Sequence, residues 1–244
     1  MFEQVRANKT RSYLLMGFFI VLIGVLGAFL GVVWGATPDA GIFVAVVVSI
    51  AYTIFSYYHG DQLILSMSGA RPVTKAEYPH LYHTIEGLAI AAGIPTPQAY
   101  VIDDSALNAF ATGRDPKHAS ITVTTGLLNK LNREELEGVV AHEMSHIKNY
   151  DIRFMMLTSV LVGLVTLLSD FILRSMWYGG RGRGGDRDRG GGNAVLLVIG
   201  LIFALLAPLI GQLIRLAISR RREYMADASA AVLTPKVEAQ DSGD

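Results

Sequence analysis

The sequence predicts an α+β protein: a helical membrane protein with about four transmembrane helices and a block of mixed helices and strands on the cytoplasmic side. Three observations predict this fold class. The apolar residues, 51% of the chain, are concentrated in four long segments. Between the second and third of these segments lies a stretch with both helical and strand-like patterns. The basic residues around the first two segments follow the positive-inside tendency.

The composition excludes several classes of protein. The 244 residues include 21 basic and 21 acidic side chains, so no bulk positive charge indicates a nucleic-acid partner. The absence of cysteine excludes a disulfide framework, a thiolate zinc site and a cysteine nucleophile. Any metal would therefore be held by histidine and carboxylate side chains.

Four apolar segments are candidate membrane spans. Tyr13 to Gly35 carries no charge and is long enough to cross a hydrocarbon core of about 30 Å at about 1.5 Å per residue. The others are Gly41 to Tyr58, Phe154 to Leu173 (interrupted by Asp170) and Ala194 to Ile214 (with a tolerated Pro208). The alternative for each is a buried helix of a soluble domain. The first segment is longer than the apolar core of a cleaved signal peptide, so we interpret it as a retained anchor.

The orientation follows from basic residues close to the first two segments, namely Arg6, Lys9, Arg11, Arg71 and Lys75. The short loop ATPDA between these segments has none. We therefore expect the N-terminus and the block from His59 to Arg153 to be cytoplasmic.

The block from His59 to Arg153 is predicted to be α+β. The stretch TKAEYPHLYHTIEGLAIAAG has helical spacing and ends at Gly93, with prolines just beyond. Three β-rich runs follow, QAYVID, LNAFATG and ASITVT. The stretch LNREELEGVVAHEMSHIKNY is predicted to be a helix, because Asn132 and Glu135 form a capping-box pattern at its start.

The run Gly179 to Gly192, GGRGRGGDRDRGGG, has low complexity and no apolar side chains to bury. We predict a flexible linker there. The alternative, an RGG-like segment that binds nucleic acid, is disfavoured because the run is short and its aspartates offset part of the positive charge.

A candidate metal site lies in the last helix of this block, where His142, Glu143 and His146 have the order H-E-x-x-H. Residues i and i+4 share one face of a helix, so both imidazoles can point at one ion. Glu143 projects beside that face, where it can deprotonate a metal-bound water. The alternative is a solvated helix face with two chance histidines.

A catalytic zinc needs a third protein ligand and an open position for water. Glu223, on the predicted helix ISRRREYMADASAAVL, is the natural candidate. Asp227 follows one turn later and would accept the free ring N–H of a ligand histidine. The alternative is an amphipathic helix with Arg–Glu pairs.

Two stretches, ALNAFATGRDPKHASITVTTGLLNKLNREELEGVVAHEMSHIKNYD and SRRREYMADASAAVL, resemble the HtpX family of membrane zinc endopeptidases. That family is related to the CAAX prenyl-proteases within the gluzincin group. The resemblance implies one zinc ion, with ligands His142, His146 and Glu223. It makes Glu143 the catalytic base and Asp227 the partner of a ligand histidine.

The resemblance also implies that the NAFATG run is an edge strand that binds substrate, through Asn108, Ala109, Phe110 and Ala111. A free strand edge suits a protease, because it holds an extended peptide through backbone groups without reading its sequence.

The implied organisation has four parts. Residues 1–58 form a membrane hairpin and residues 59–153 a zincin-like catalytic domain. Residues 154–214 form a second hairpin with the Gly/Arg-rich loop 179–192, and residues 215–244 carry the third zinc ligand and a polar tail. The protein would then be a multi-pass protein of the cell (inner) membrane, with its active site facing the cytoplasm.

The function implied is zinc-dependent hydrolysis of peptide bonds, with misfolded or damaged membrane proteins as substrates. The chain ends earlier than is usual in the family, and no histidine follows His146, so the group that stabilises the oxyanion is unassigned. The alternative is therefore a truncated, inactive relative that acts as a membrane-bound binding or adaptor protein.

Two further possibilities are disfavoured. A metal transporter would need ligands inside the membrane segments, which contain Asp170 but no histidine. His80 and His83 form a second histidine pair, but no acidic residue nearby has metal-ligand spacing. We interpret that pair as packing or surface residues.

Overall fold

The computed structural model describes residues 2–33, 37–179, 211–212 and 220–233. The helices are α1 (Phe2–Val33), α2 (Pro38–Met67), α3 (Pro79–Ala92), α4 (Thr125–Lys130), α5 (Arg133–Lys148), α6 (Asp151–Gly179) and α7 (Arg220–Leu233). The strands are β1 (Arg71–Pro72), β2 (Gln98–Ile102), β3 (Ala109–Gly113) and β4 (Ala119–Thr124), and a 3₁₀ turn covers Pro116–His118.

The chain divides into two compact units. One comprises residues 1–12, 58–156 and 218–244, and among its described residues are the sheet, α3, α4, α5 and α7. The other comprises residues 13–57 and 157–217, where the described residues are long apolar helices. The beginning of α1 thus groups with the sheet, although the rest of this helix does not.

The sheet of the first unit has the strand order β1-β2-β4-β3. The central pair β2 and β4 is parallel, whereas β1 and β3 pair antiparallel to their neighbours. Helix α5 contacts β3 and β4 of the sheet and also contacts α3 and α7. Its buried Val140, Met144 and Ile147 join Ile121 and Val123 of β4 in one apolar core. The arrangement leaves β3 at an edge of the sheet, beside α5.

Most of the predicted elements of this block are confirmed. The three β-rich runs are β2, β3 and β4, and the helix after them is α5. Helix α3 ends at Gly93 as predicted, in a left-handed conformation, but it begins only at Pro79. The preceding residues form a turn because the Glu77 carboxylate accepts hydrogen bonds from the backbone N–H and side chain of Thr74. The short elements β1 and α4 were not predicted from the sequence.

Helix α5 begins with the predicted capping box. The Asn132 side chain accepts a hydrogen bond from the Glu135 N–H at 2.9 Å, and the Glu135 carboxylate accepts one from the Asn132 N–H at 2.9 Å. We expect Asn132→Ala to lower the free energy of unfolding by about 1 kcal/mol, because it leaves a first-turn N–H without its partner. Thermal unfolding of the purified protein would measure this loss. Glu134→Ala, in the same turn but outside the box, is the control, and an equal loss in both variants would contradict the role of the cap.

Two of the described helices are long and apolar enough to cross a membrane, over Val5–Ala28 and Pro38–Met67. Only 22% and 17% of their most apolar windows are buried among the described residues, whereas a core helix of a soluble domain is mostly buried. Large exposed side chains such as Phe18, Val21, Phe43 and Val47 lie on these helices. Such apolar surfaces suit contact with lipid.

Within the second unit, α1 and α2 approach each other closely at Gly27, Gly31 and Gly41. A Cβ atom on Gly27 would collide with the side chain of Ala45 and the backbone of Gly41, and one on Gly31 would press against Gly41 as well. The absence of side chains at these positions allows the close packing that is typical of helix pairs in membranes.

The third apolar segment, Phe154–Leu173, lies within α6. The side chain of Asp170, the fourth segment up to Ile210 and the glycine-rich run from Gly180 lie outside the described part of the chain. The number of membrane crossings therefore stays a prediction.

Candidate metal centre

Helices α5 and α7 bring three ligand-type atoms together. His142 and His146 lie one turn apart on α5, with 3.2 Å between their Nε2 atoms. Glu223 extends from the first turn of α7, and its Oε2 atom lies 3.4 Å from Nε2 of His142 and 3.9 Å from Nε2 of His146. Within the described residues, these three side chains form the one group of histidines and carboxylates spaced to hold a metal ion.

The size of this triangle fits zinc. Ligand atoms about 2.0–2.1 Å from a tetrahedral zinc ion lie about 3.3 Å from one another. The three observed separations, 3.2, 3.4 and 3.9 Å, are close to that value. Two imidazoles and one carboxylate, with no fourth protein group in the set, are also the donor set of catalytic rather than structural zinc sites.

Each histidine has a carboxylate behind it. Nδ1 of His142 lies 2.8 Å from Oδ1 of Asp227, the residue predicted for this role. Nδ1 of His146 lies 3.2 Å from Oδ2 of Asp151. A carboxylate at Nδ1 favours the tautomer with the proton on Nδ1, which leaves the Nε2 lone pairs free to bind a metal.

The electrostatics of the site favour a cation. Burial by itself would lower the pKa of His146, but the hydrogen bond with Asp151 and the charges of Glu143, Asp151 and Glu223 raise it above its usual value. The surrounding carboxylates therefore stabilise positive charge at His146. A metal ion at the Nε2 atoms would gain from the same field.

Glu143 lies on α5 between the two histidines, and its carboxylate is mostly withdrawn from water. This desolvation raises the pKa of Glu143, although His146, His142 and a hydrogen bond from the Ala111 N–H act in the opposite direction. A raised carboxyl pKa makes the carboxylate a better proton acceptor near neutral pH. The Ala111 N–H also ties Glu143 to strand β3.

Strand β3 is an edge strand, as predicted, and its backbone groups alternate in direction. The Thr124 N–H of β4 donates to the Asn108 carbonyl at 3.0 Å, so the backbone groups of Asn108, and by alternation of Phe110, face β4. The backbone groups of Ala109 and Ala111 therefore face away from the sheet. Among the four residues predicted to bind substrate, Ala109 offers an outward N–H and carbonyl. Ala111 offers an outward carbonyl, because its N–H donates to Glu143.

The remaining histidines of the described block do not join this group. His83 on α3 is exposed and pairs with Glu86 at 3.7 Å, and His80 lies on the same helix. Asp151 was not predicted from the sequence, although it follows His146 closely, because nothing in the spacing indicates that the chain turns back toward the imidazole. Asn8, which contacts Asp151 from the beginning of α1, was not predicted either.

Comparison with known proteins supports the resemblance found in the sequence. Residues 75–242 match the model of peptidase family M48. The chain is 45% identical over 235 residues to a protease HtpX homolog of Streptococcus gordonii, covering 96% of this chain and 79% of that protein. It is 44% identical over 233 residues to a protease HtpX homolog of Dictyoglomus turgidum, covering 96% of this chain and 74% of that protein.

The fold also has a counterpart among solved structures. The crystal structure of S. mikatae Ste24p superposes with a TM-score of 0.50 at 23% identity, over 96% of this chain and 57% of that chain. This similarity supports the fold alone. The family model and the HtpX homologs confirm the resemblance predicted from the two motifs: the chain belongs to peptidase family M48 and is a metallopeptidase related to the HtpX proteases.

Proposed function

We propose that this protein is a membrane-embedded, zinc-dependent endopeptidase in which His142, His146 and Glu223 hold one zinc ion and Glu143 is the catalytic base. The convergence of these three ligand atoms is the observation that carries the proposal. Zinc bound there would supply a Lewis acid that polarises the scissile carbonyl and makes water more acidic.

Residues of the chain carry out the proton transfers and hold the reacting groups in place. Glu143 takes the proton from the attacking water and returns it to the leaving amine. The hydrogen bond from the Ala111 N–H holds its carboxylate in place, and desolvation raises its proton affinity. Asp227 keeps the imidazole of His142 in the required tautomer and orientation.

The substrate would bind as an extended strand against the free edge of β3. The outward N–H and carbonyl of Ala109 and the carbonyl of Ala111 can pair with it, while the side chains of Asn108 and Phe110 would contact its residues. Because Glu143 hydrogen-bonds to the same strand, a peptide paired with β3 would have its backbone in register with the base. Backbone pairing suits protein substrates of varied sequence, such as misfolded or damaged membrane proteins.

We further propose that the chain crosses the cell (inner) membrane four times, with both termini and the metal centre in the cytoplasm. His142 and Glu223 must lie on the same side of the membrane to meet at one ion, and two apolar segments separate them in the chain. An even number of crossings is therefore required. The loop outside would contain Arg181, Arg183, Arg187 and Arg189, which runs against the positive-inside tendency. If His142 and Glu223 lay on opposite sides of the bilayer, the metal site could not form.

Single cysteines in this cysteine-free chain test the topology. An impermeant thiol reagent added to intact cells should label Gly185→Cys, which would lie outside, and spare Ser242→Cys. Lysed cells, in which both should react, provide the control. Protection of both positions in intact cells would indicate a third and fourth segment that dip into the membrane and return. Labelling of both would contradict the shared location of the ligands.

Zinc content and casein hydrolysis, measured on the same purified preparation, test the enzymatic function. We expect about one zinc per chain and cleavage that stops when a chelator removes the metal. The alternative, an inactive membrane-bound binding protein, predicts no cleavage at full zinc occupancy. The Glu143 variant treated in the Discussion separates catalysis by this site from a contaminating protease.

A further inference from the structure

The beginning of α1 contacts the corner between α5 and α6, within one compact unit. Asn8 is 3% exposed, and its Nδ2 donates to the Asn149 carbonyl at 3.0 Å and to Oδ1 of Asp151 at 2.6 Å. These residues are 141 and 143 positions apart in the chain, so the contact is tertiary. A membrane-flanking helix end would not need a buried amide with two such partners.

The Asp151 carboxylate connects Asn8 to the metal centre. Its Oδ1 atom accepts the hydrogen bond from Asn8, and its Oδ2 atom lies 3.2 Å from Nδ1 of His146. The side chains of Asp151 and His146 are only 2% and 4% exposed. A buried carboxylate is costly unless its oxygens are hydrogen-bonded, so each of its two partners stabilises its position.

The backbone between α5 and α6 is shaped to make this contact. Tyr150 has a φ of 61°, a left-handed conformation that is uncommon for a residue other than glycine. Its ring contacts two cations, with Nζ of Lys9 at 4.2 Å and the guanidinium carbon of Arg153 at 5.1 Å from the ring centroid. Lys9, next to Asn8, thus adds a second contact from α1 to the same corner.

We propose that Asn8 and Asp151 are positioning residues of the metal centre. Asn8 fixes the carboxylate of Asp151, and Asp151 holds the imidazole of His146 so that its Nε2 atom faces the metal. The segment before the first apolar stretch would therefore be part of the catalytic unit, besides its role in orienting the chain in the membrane. This inference rests on the proposed zinc site.

The test is the zinc affinity of the purified full-length protein, measured by competition with a chromophoric chelator. Loss of a group behind a metal ligand typically weakens metal binding by about 10–100-fold, so we expect Asp151→Ala within this range and Asn8→Ala at about 10-fold. Ser12→Ala is the matched control. Ser12 is also fully buried at the beginning of α1, and its hydroxyl donates to the Asn8 carbonyl at 2.9 Å, but it has no contact with Asp151 among the described hydrogen bonds. Its variant should bind zinc like the wild type.

Two additional measurements separate positioning from general stability. The unfolding temperature of the metal-free protein reports stability, and the visible spectrum of the cobalt-substituted protein reports the geometry of the ligands. Positioning predicts a weaker affinity and an altered cobalt spectrum in Asn8→Ala but not in Ser12→Ala. Wild-type zinc affinity in Asn8→Ala, or an equal loss in Ser12→Ala, would overturn the proposal.

A charge exchange keeps the proposal testable if Asn8→Ala does not fold. Asn8→Asp places two carboxylates face to face and should weaken zinc binding strongly. Adding Asp151→Asn restores a donor and an acceptor at this contact, so the double variant should bind zinc more tightly than Asn8→Asp alone. A double variant that binds zinc no more tightly than Asn8→Asp alone would overturn the proposed positioning role of the contact between residues 8 and 151. A wild-type protein that binds no zinc would instead overturn the proposed function, before any variant is compared.

Discussion

Glu143→Gln is expected to retain zinc and fold but to reduce peptide hydrolysis by about 10²–10⁴-fold, the usual contribution of a general acid–base group. Glutamine keeps the shape of the side chain and can still accept a hydrogen bond from the Ala111 N–H. It cannot take a proton from water at neutral pH. The first turnovers of an internally quenched peptide, with zinc measured in the same sample, would give the ratio of rates.

Glu137→Gln provides the matched control. Glu137 is on the same helix, α5, but belongs to neither the metal group nor the hydrogen bonds of the cap. Its variant should hydrolyse the peptide at the wild-type rate. Hydrolysis by a zinc-loaded Glu143→Gln protein at that rate would remove Glu143 from the role of base.

His146→Ala is expected to lose the metal and, with it, all measurable hydrolysis. The variant removes one of the three proposed ligands from a position that is almost completely buried. Water can enter the space, but it cannot replace the imidazole held by Asp151. Zinc affinity should therefore fall by more than about 100-fold, beyond the range for groups behind the ligands. Zinc analysis after dialysis against a weak chelator would measure the loss.

His83→Ala serves as the comparison, since His83 is an exposed histidine on α3 whose carboxylate partner is Glu86. It should keep a full equivalent of zinc. His142→Ala should behave like His146→Ala, because the two Nε2 atoms face the same point. A full equivalent of zinc in either ligand variant would show that the ion binds elsewhere.

The local features of the fold could be predicted from the sequence. The capping box of Asn132 and Glu135 depends on residues three positions apart, and the helical repeat places His142 and His146 on one face. Glu223 and Asp227 could be predicted because they occupy successive turns of one helix and because the resemblance assigned them roles. The capping box and the histidine pair express short-range geometry that the residue types alone determine.

The contacts behind His146 could not be predicted in this way. Asp151 reaches the imidazole because Tyr150 adopts a left-handed conformation. A glycine at that position would have indicated this conformation from the sequence, but a tyrosine does not. Asn8 meets Asp151 through tertiary packing, so its sequence neighbours carry no indication of the contact. Two polar residues before Tyr13, Asn8 and Ser12, are likewise buried within the sheet-containing unit, which the hydropathy of the sequence does not indicate.

The separation of the ligands along the chain has a consequence during biosynthesis. The two histidines lie on α5, whereas Glu223 lies on α7, after the third and fourth apolar segments. A chain synthesised only as far as α5 contains Glu143 and the two histidines but lacks Glu223, the third ligand that we propose. The proposed metal centre can form only after both later apolar segments have been synthesised and α7 has packed against α5. Under the proposed function, a partly synthesised chain therefore cannot hydrolyse peptide bonds, and activity arises only in chains that extend through α7.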